Sequence, residues 1–192
     1  MEFLETERLY IRPWEPDDWA ALWALGSDPE AFPAMGQTRL ESEEAARETA
    51  AELARSDVDF AIAEKETDRI VGSIHIPHRC PADVEPPLPY RTLTFSLLPE
   101  FRSRGYMQEA VREMVRHIFE DLGLGMLWSF WPEGCDKARR ILERADFQPD
   151  LVRDEPMPGG SRRIHHMTLT WEAWVEQWRE DRLFEMLMSS YF

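Results

Sequence analysis

Between residues 90 and 147 the chain reads as strand, helix, strand, helix, and that order constrains the fold more than any other feature. YRTLTFSLL, 90 to 98, is an apolar run rich in β-formers that breaks at Pro99. From 105 to 121, Met107, Ala110, Val111, Met114, Val115 and Ile118 recur at the i, i+3, i+4, i+7 spacing of an amphipathic helix, and Leu122 continues the stripe. MLWSFW, 126 to 131, is a short apolar strand, and a helix restarts near Asp136. A strand, helix, strand unit within one sheet closes right-handed and makes its two strands parallel neighbours.

The flanking segments supply the rest of a mixed sheet. TERLYIR, 6 to 12, alternates apolar Leu9 and Ile11 with polar neighbours and predicts a first strand ended by Pro13. Asp17 is the expected N-cap of a helix that runs to Gly26. Residues 41 to 55 predict a mostly wet helix with Ala45, Thr49 and Leu53 as its apolar stripe. VDFAIAEK and RIVGSIHI, 58 to 65 and 69 to 76, predict a hairpin of half-buried strands. The Pro-rich run 81 to 89 lacks the donors for a strand and reads as an extended loop, a plausible lip for a cleft. RRIHHMTLTW, 162 to 171, alternates as a last strand, with His165 and His166 on opposite faces. A helix rich in Trp and Leu closes the chain. The count is about seven strands and five helices, an α/β or α+β domain with a mixed, mostly antiparallel sheet.

The 192 residues fit one domain, 1 to 192, whose final stretch, 171 to 192, is a C-terminal helical extension. Hydrophobic residues make up 43% of the chain, enough for a full core. A net charge of −15 argues against nucleic acid and anionic membrane as partners. Two cysteines, Cys80 and Cys135, make neither a disulfide framework nor a CxxC metal pattern, and the five His show no ligand spacing, so no metal is expected. The acidic start, MEFLETERLY, is unlike a secretory signal, and a cytoplasmic protein is expected. The apolar end, LFEMLMSSYF, would suit a partner, and a homodimer through it is a reasonable reading. Five late tryptophans, Trp128, Trp131, Trp171, Trp174 and Trp178, are either core and helix packing or the lining of an acceptor pocket.

The chemistry sits in PEFRSRGYMQEA, 99 to 110. Here an apolar strand breaks and a helix begins at Gly105, with Arg102 and Arg104 between. Unpaired N–H groups at the helix start, its partial positive charge, a glycine that admits close approach and two guanidinium groups together make an anion site. The plain alternative is a strand-to-helix turn with two solvated arginines.

Arg102-Ser103-Arg104-Gly105-Tyr106-Met107 resembles the pyrophosphate-binding loop of the GCN5-related N-acetyltransferases, whose pattern is Gln/Arg-x-x-Gly-x-Gly/Ala. The resemblance runs along nearly the whole chain. LETERLYIRPWEPDD is similar to the opening strand and helix of the subgroup that acetylates ribosomal-protein N-termini. FAIAEKETDRIVGSIHI is similar to its central hairpin and TFSLLPEFRSRGYMQEAV to its cofactor strand and helix. RRILERADF is similar to the helix before its final Gly-Phe strand, with Asp146 in place of Gly, and MTLTWEAW to its closing strand. The resemblance implies a seven-stranded acetyltransferase fold and transfer of an acetyl group from acetyl-CoA to a primary amine of a peptide N-terminus or a small molecule. By the same resemblance the strand end at Leu97 and Leu98 would bind the pantetheine arm, and the amides of Arg102, Ser103, Arg104, Gly105, Tyr106 and Met107 the pyrophosphate, with Arg139 as a further cofactor contact.

Several positions depart from that family. Asn is absent from the chain, and Gly134 or Cys135 stands where the family has it after the penultimate strand. Ala138 follows at the family's Ser/Ala position, Leu142 replaces its Tyr acid, Met107 its last small loop residue, and Thr92 the Glu that relays the amine proton. Substitutes for the acid and base are His75, Tyr90, Tyr106 and Cys135, each with a packing role as its alternative. His78 and Glu85, beside the Pro-rich loop, are candidate acceptor contacts. A non-catalytic acyl-CoA-binding or interaction module on the same fold is the competing reading.

Overall fold

The periodic stretch that opened the sequence argument becomes the central helix of a computed structural model describing residues 3–27, 40–80, 84–157 and 160–177. The strands are β1 (Leu4–Glu5), β2 (Leu9–Pro13), β3 (Asp59–Glu64), β4 (Ile70–His75), β5 (Tyr90–Leu97), β6 (Met126–Pro132), β7 (Gln148–Met157) and β8 (Gly160–Thr170). The helices are α1 (Trp19–Ser27), α2 (Glu43–Leu53), α3 (Tyr106–Arg116), α4 (Asp136–Glu143) and a last helix, α5, described over 171–177. The remainder of the C-terminal extension, with Trp178 and the segment expected to dimerise, lies outside the described residues.

The eight strands order as β1-β2-β3-β4-β5-β6-β8-β7. The strand beyond the expected seven is β1, whose two residues pair with Tyr10 and Ile11 of β2 and are too short to show a period. All neighbours are antiparallel except β5 and β6, joined through α3 as the strand, helix, strand unit requires. One core joins Leu9, Ile11, Phe60, Ile62, Ile74 and Leu93 of the strands to Val111, Met114 and Ile118 of the central helix and to Leu142 and Phe147.

Local departures from expectation have physical causes. The apolar face of α3 continues into a single wider turn over His117–Asp121, where the Leu122 amide bonds the His117 carbonyl at 3.0 Å and His117 Nδ1 lies 2.7 Å from Asp121. Asp18, rather than Asp17, organises the start of α1. Its carboxylate accepts from the Glu15 amide at 2.8 Å and from Arg12 at 2.7 and 3.0 Å, and one 3-10 turn, Pro16–Asp18, precedes the helix. In α2, capped by the Ser42 hydroxyl, burial is complete at Ala46 and Ala50, one position along from the expected stripe. His165 and His166 do face opposite ways. His165 stacks on Trp131 with ring centroids 4.0 Å apart, while His166 meets Trp128 and Phe130.

Candidate active site

The sheet opens at one place. β5 and β6 pair from Tyr90–Met126 to Leu93–Ser129, and there the ladder stops. The Ser129 hydroxyl donates to the Leu93 carbonyl at 2.8 Å, closing the last rung with a side chain. Beyond it β5 stays with β4, through Thr94–His75 to Leu97–Gly72, and β6 stays with β8, through Phe130–His166 to Pro132–Ile164. A wedge-shaped gap lies between two strands whose facing edges share no ladder bond.

The anion loop lies at the wide end of that gap. After a 3-10 turn at Pro99–Phe101, Ser103 and Gly105 both take left-handed backbone angles, φ 64° and 83°, alternating with Arg104 so that successive N–H groups form a concave nest. Gly105 begins α3 with no side-chain cap, which leaves the first amides of the helix for a ligand. Met107 does not block the nest, because its side chain is buried in the core. The Tyr106 hydroxyl donates to Glu64, which raises the tyrosine above the ordinary phenol value and holds Glu64 below the ordinary carboxylate value. Arg102 Nε donates to the Leu97 carbonyl at 3.2 Å, and the Arg104 guanidinium lies 5.2 Å from the centre of the Phe101 ring.

Sequence reasoning missed the support behind this loop. Arg8 donates through Nη1 to the Arg104 carbonyl at 3.1 Å and lies 4.7 Å from the centre of the Tyr106 ring, and its Nε donates to Glu109 at 2.7 Å. A contact spanning 101 residues leaves no periodic trace. A cleft of about 650 Å³ adjoins the loop and is lined by Gly105, Gln108, Arg112, Arg144 and Trp174.

One face of the sheet gathers two His–carboxylate pairs. Thr92, Thr94 and Ser96 share a face of β5, and the registers put Ser73 and His75 of β4, Asp59 of β3, Trp128 and Phe130 of β6 and His166 of β8 on that same face. His75 Nδ1 is 2.5 Å from Asp59 Oδ1, and the Ser56 hydroxyl donates to Asp59 Oδ2 at 2.5 Å. Burial works against the Asp59 charge, yet the bonds from His75 and Ser56 outweigh it and hold the carboxyl below its ordinary value. His75 is the rung partner of Thr94, the first β5 residue past the last rung to β6, so it stands at the apex of the gap. Across the gap His166 Nε2 lies 2.8 Å from Glu155, which also accepts from Arg153 at 2.7 Å. Burial opposes the Glu155 charge too, and those two partners keep it below the ordinary value.

The remaining expected residues are dispersed. Tyr90, four residues from the apex, donates to Cys80 Sγ at 3.2 Å, a contact that raises its hydroxyl above the ordinary phenol value, and its ring packs against His78 at 4.5 Å. Glu85 is exposed on the Pro-rich segment. The Thr92 hydroxyl is bound to the Arg79 carbonyl. Cys135, a free thiol, sits at the head of α4 just past β6. Leu142 is fully buried. Arg139 lies along α4 between Asp136 at 3.4 Å and Glu143 at 3.0 Å. Among the described residues no three His, Cys, Asp or Glu side chains gather where they could hold a metal ion.

Known proteins share this architecture. The model of the acetyltransferase (GNAT) domain matches residues 8–148. A GNAT-family acetyltransferase from Bacillus anthracis superposes with a TM-score of 0.78 at 18% identity, over 89% of this chain and 99% of that one. Ribosomal-protein-S5-alanine acetyltransferase from Vibrio fischeri gives 0.72 at 15%, over 91% and 99%. Spermidine N-acetyltransferase from Vibrio cholerae, solved with CoA and spermine, gives 0.72 at 14%, over 88% and 99%. A family match across 8–148, on a sheet that splits beside a nest at a helix start, means that the chain belongs to the GNAT acetyltransferases, enzymes that move an acyl group to an amine.

Proposed function

We propose that this protein transfers the acetyl group of acetyl-CoA to a primary amine, on a peptide N-terminus or a small molecule. The observation that carries the reading is the gap between β5 and β6 opening onto the Ser103–Gly105 nest. The residues fit the group: the amides from Ser103 to Met107, with the charges of Arg102 and Arg104, suit a pyrophosphate, and the Leu97 N–H suits a carbonyl of the pantetheine arm, the Leu98 N–H being bonded to the Val71 carbonyl at 2.9 Å. When bound, acetyl-CoA supplies the activated acyl thioester. His75 takes the proton that the amine must lose. Its Nδ1–H is oriented by ionised Asp59, which leaves the lone pair on Nε2 as the base. Cys135 gives a proton from Sγ to the departing sulfur, a role its free thiol leaves open, whereas the Tyr90 hydroxyl already donates to Cys80. The net charge of −15 favours cationic acceptors by steering. Two free thiols support a reducing, cytoplasmic setting.

The competing reading is a non-catalytic acyl-CoA-binding module, favoured by the buried Leu142 in the place of the family's tyrosine acid. Isothermal titration with acetyl-CoA, then free-thiol release against amines and N-terminal peptides, separates the two. Binding with turnover is expected. Binding without turnover supports the module, and absence of binding refutes both.

A further inference from the structure

We propose that Thr94 and Trp128 bind the acceptor. The Thr94 hydroxyl holds its amine beside His75, and the Trp128 indole N–H donates to an oxygen of the same molecule. This rests on the acetyl-transfer reading above.

Two orphaned polar groups carry the inference. Thr94 is 6% exposed and Trp128 3%, and neither Thr94 Oγ1 nor Trp128 Nε1 has a hydrogen-bond partner among the described residues. A buried donor or acceptor left unpaired costs about 1–3 kcal/mol, so such groups are rare and call for a partner. Neighbouring hydroxyls are engaged: Thr92 with the Arg79 carbonyl, Ser73 with Ser96 at 2.9 Å, Ser129 with the Leu93 carbonyl. Of the buried side-chain atoms without a hydrogen-bond partner among the described residues, Thr94 Oγ1 and Trp128 Nε1 are two that lie beside the end of the β5–β6 ladder, on the face carrying Asp59 and His75.

Their spacing limits what can bridge them. Trp128 is the rung partner of Thr92, which makes Thr94 its diagonal neighbour on the same face. Thr94 is the first β5 residue past the last rung to β6, so nothing in the ladder fills the space between it and Trp128. An indole N–H donates and never accepts, so the end of the bound molecule that meets it must be a hydrogen-bond acceptor. The acceptor class is therefore an amine that also carries a carbonyl or hydroxyl oxygen. Alkylamines and linear polyamines lack that oxygen.

The test compares alaninamide, which has the oxygen, with sec-butylamine, which does not, in wild-type protein and in Trp128→Phe, which keeps an aromatic ring and loses the N–H. Amine basicity cancels in the wild-type to variant ratio. The expected result is a five- to twentyfold fall in the kcat/KM preference for alaninamide on Trp128→Phe, with the KM for acetyl-CoA within twofold of wild type. In parallel, Thr94→Val raises the KM for alaninamide and Thr94→Ser restores it. That pair carries the test alone where Trp128→Phe does not fold. A preference unchanged in the variant, or a Thr94→Val enzyme with the wild-type KM, overturns the inference. Thiol release from none of the amines overturns the acetyl-transfer reading and this inference with it, whereas equal loss on both amines overturns this inference alone.

Discussion

Arg8, one residue before β2, grips Glu109 in the first turn of α3 with its backbone N–H at 2.9 Å, its Nε at 2.7 Å and its Nη2 at 2.6 Å. Thr6 donates to the same carboxylate at 2.5 Å. The edge of the sheet thereby fixes the helix whose start forms the nest. Glu109→Ala removes their shared acceptor, leaving Arg8 its Nη1 bond to the Arg104 carbonyl and Thr6 a longer one to the Leu9 carbonyl at 3.3 Å. Arg8 is 43% exposed, so water screens much of the charge attraction, and the expected loss is about 1–2 kcal/mol. A fall in Tm of several degrees, with a raised KM for acetyl-CoA, checks this; an unchanged Tm refutes it.

Replacing Arg102 and Arg104 together by Ala should weaken acetyl-CoA binding at least tenfold, since each charge-assisted contact is worth about 1.5–3 kcal/mol. Titration calorimetry reads the change. Wild-type affinity in the double variant would remove both side chains from the cofactor site.

His75→Ala should lower kcat by about 10²- to 10⁴-fold and flatten the pH dependence of the rate. Asp59→Asn should give a smaller loss, because the imidazole keeps its place but loses its orienting charge. A pH profile indistinguishable from wild type in His75→Ala would exclude that histidine from the proton path.

Asp146 stands where the resembled family has Gly, and its backbone is left-handed, φ 65°, in the turn that closes α4. Asp146→Gly relieves that strain at the cost of greater freedom in the unfolded chain, for a net gain of about 0.5 kcal/mol. Chemical denaturation measures it, and a loss of stability would show that the Asp146 side chain contributes more than its backbone strain costs.

Asp59, Glu109 and Glu155 are all half-buried or more, and hydrogen bonds hold each below its ordinary carboxyl value in spite of burial. A carboxyl depressed in the folded state contributes stability that is fully present above its unfolded value and disappears as pH falls through the lower folded value. Thermal stability should stay level from pH 7 to about 5 and decline steeply below about 4. A decline that begins near pH 6 would point to histidines instead.

Regular repetition made much of the fold legible. The central helix, the hairpin of Asp59–Glu64 with Ile70–His75 and the strand before Pro99 each repeat a period several times over. The loop was legible because Pro99, two arginines and Gly105 each restrict the backbone or its charge. The Asp59–His75 pair was half visible: His75 stood out by its titration range, but its partner depends on a register that no local pattern encodes. Trp128 was visible only as one of five tryptophans that could pack the core or line an acceptor pocket, and Thr94 left no trace, since a missing hydrogen bond is a property of the packed surroundings and not of the residue. β1, two residues long, falls below the length at which alternation can be seen.

The interruption of the sheet between Leu93 and Pro132 also creates an adhesive seam. Sheets tolerate unpaired margins at their rims, where lysines, prolines and twist discourage strangers, but this margin runs through the interior and has little beyond Pro132 to blunt it. On the proposed reading, the pantetheine arm takes the place a further strand would fill, so the cofactor completes the sheet as well as supplying the acyl group.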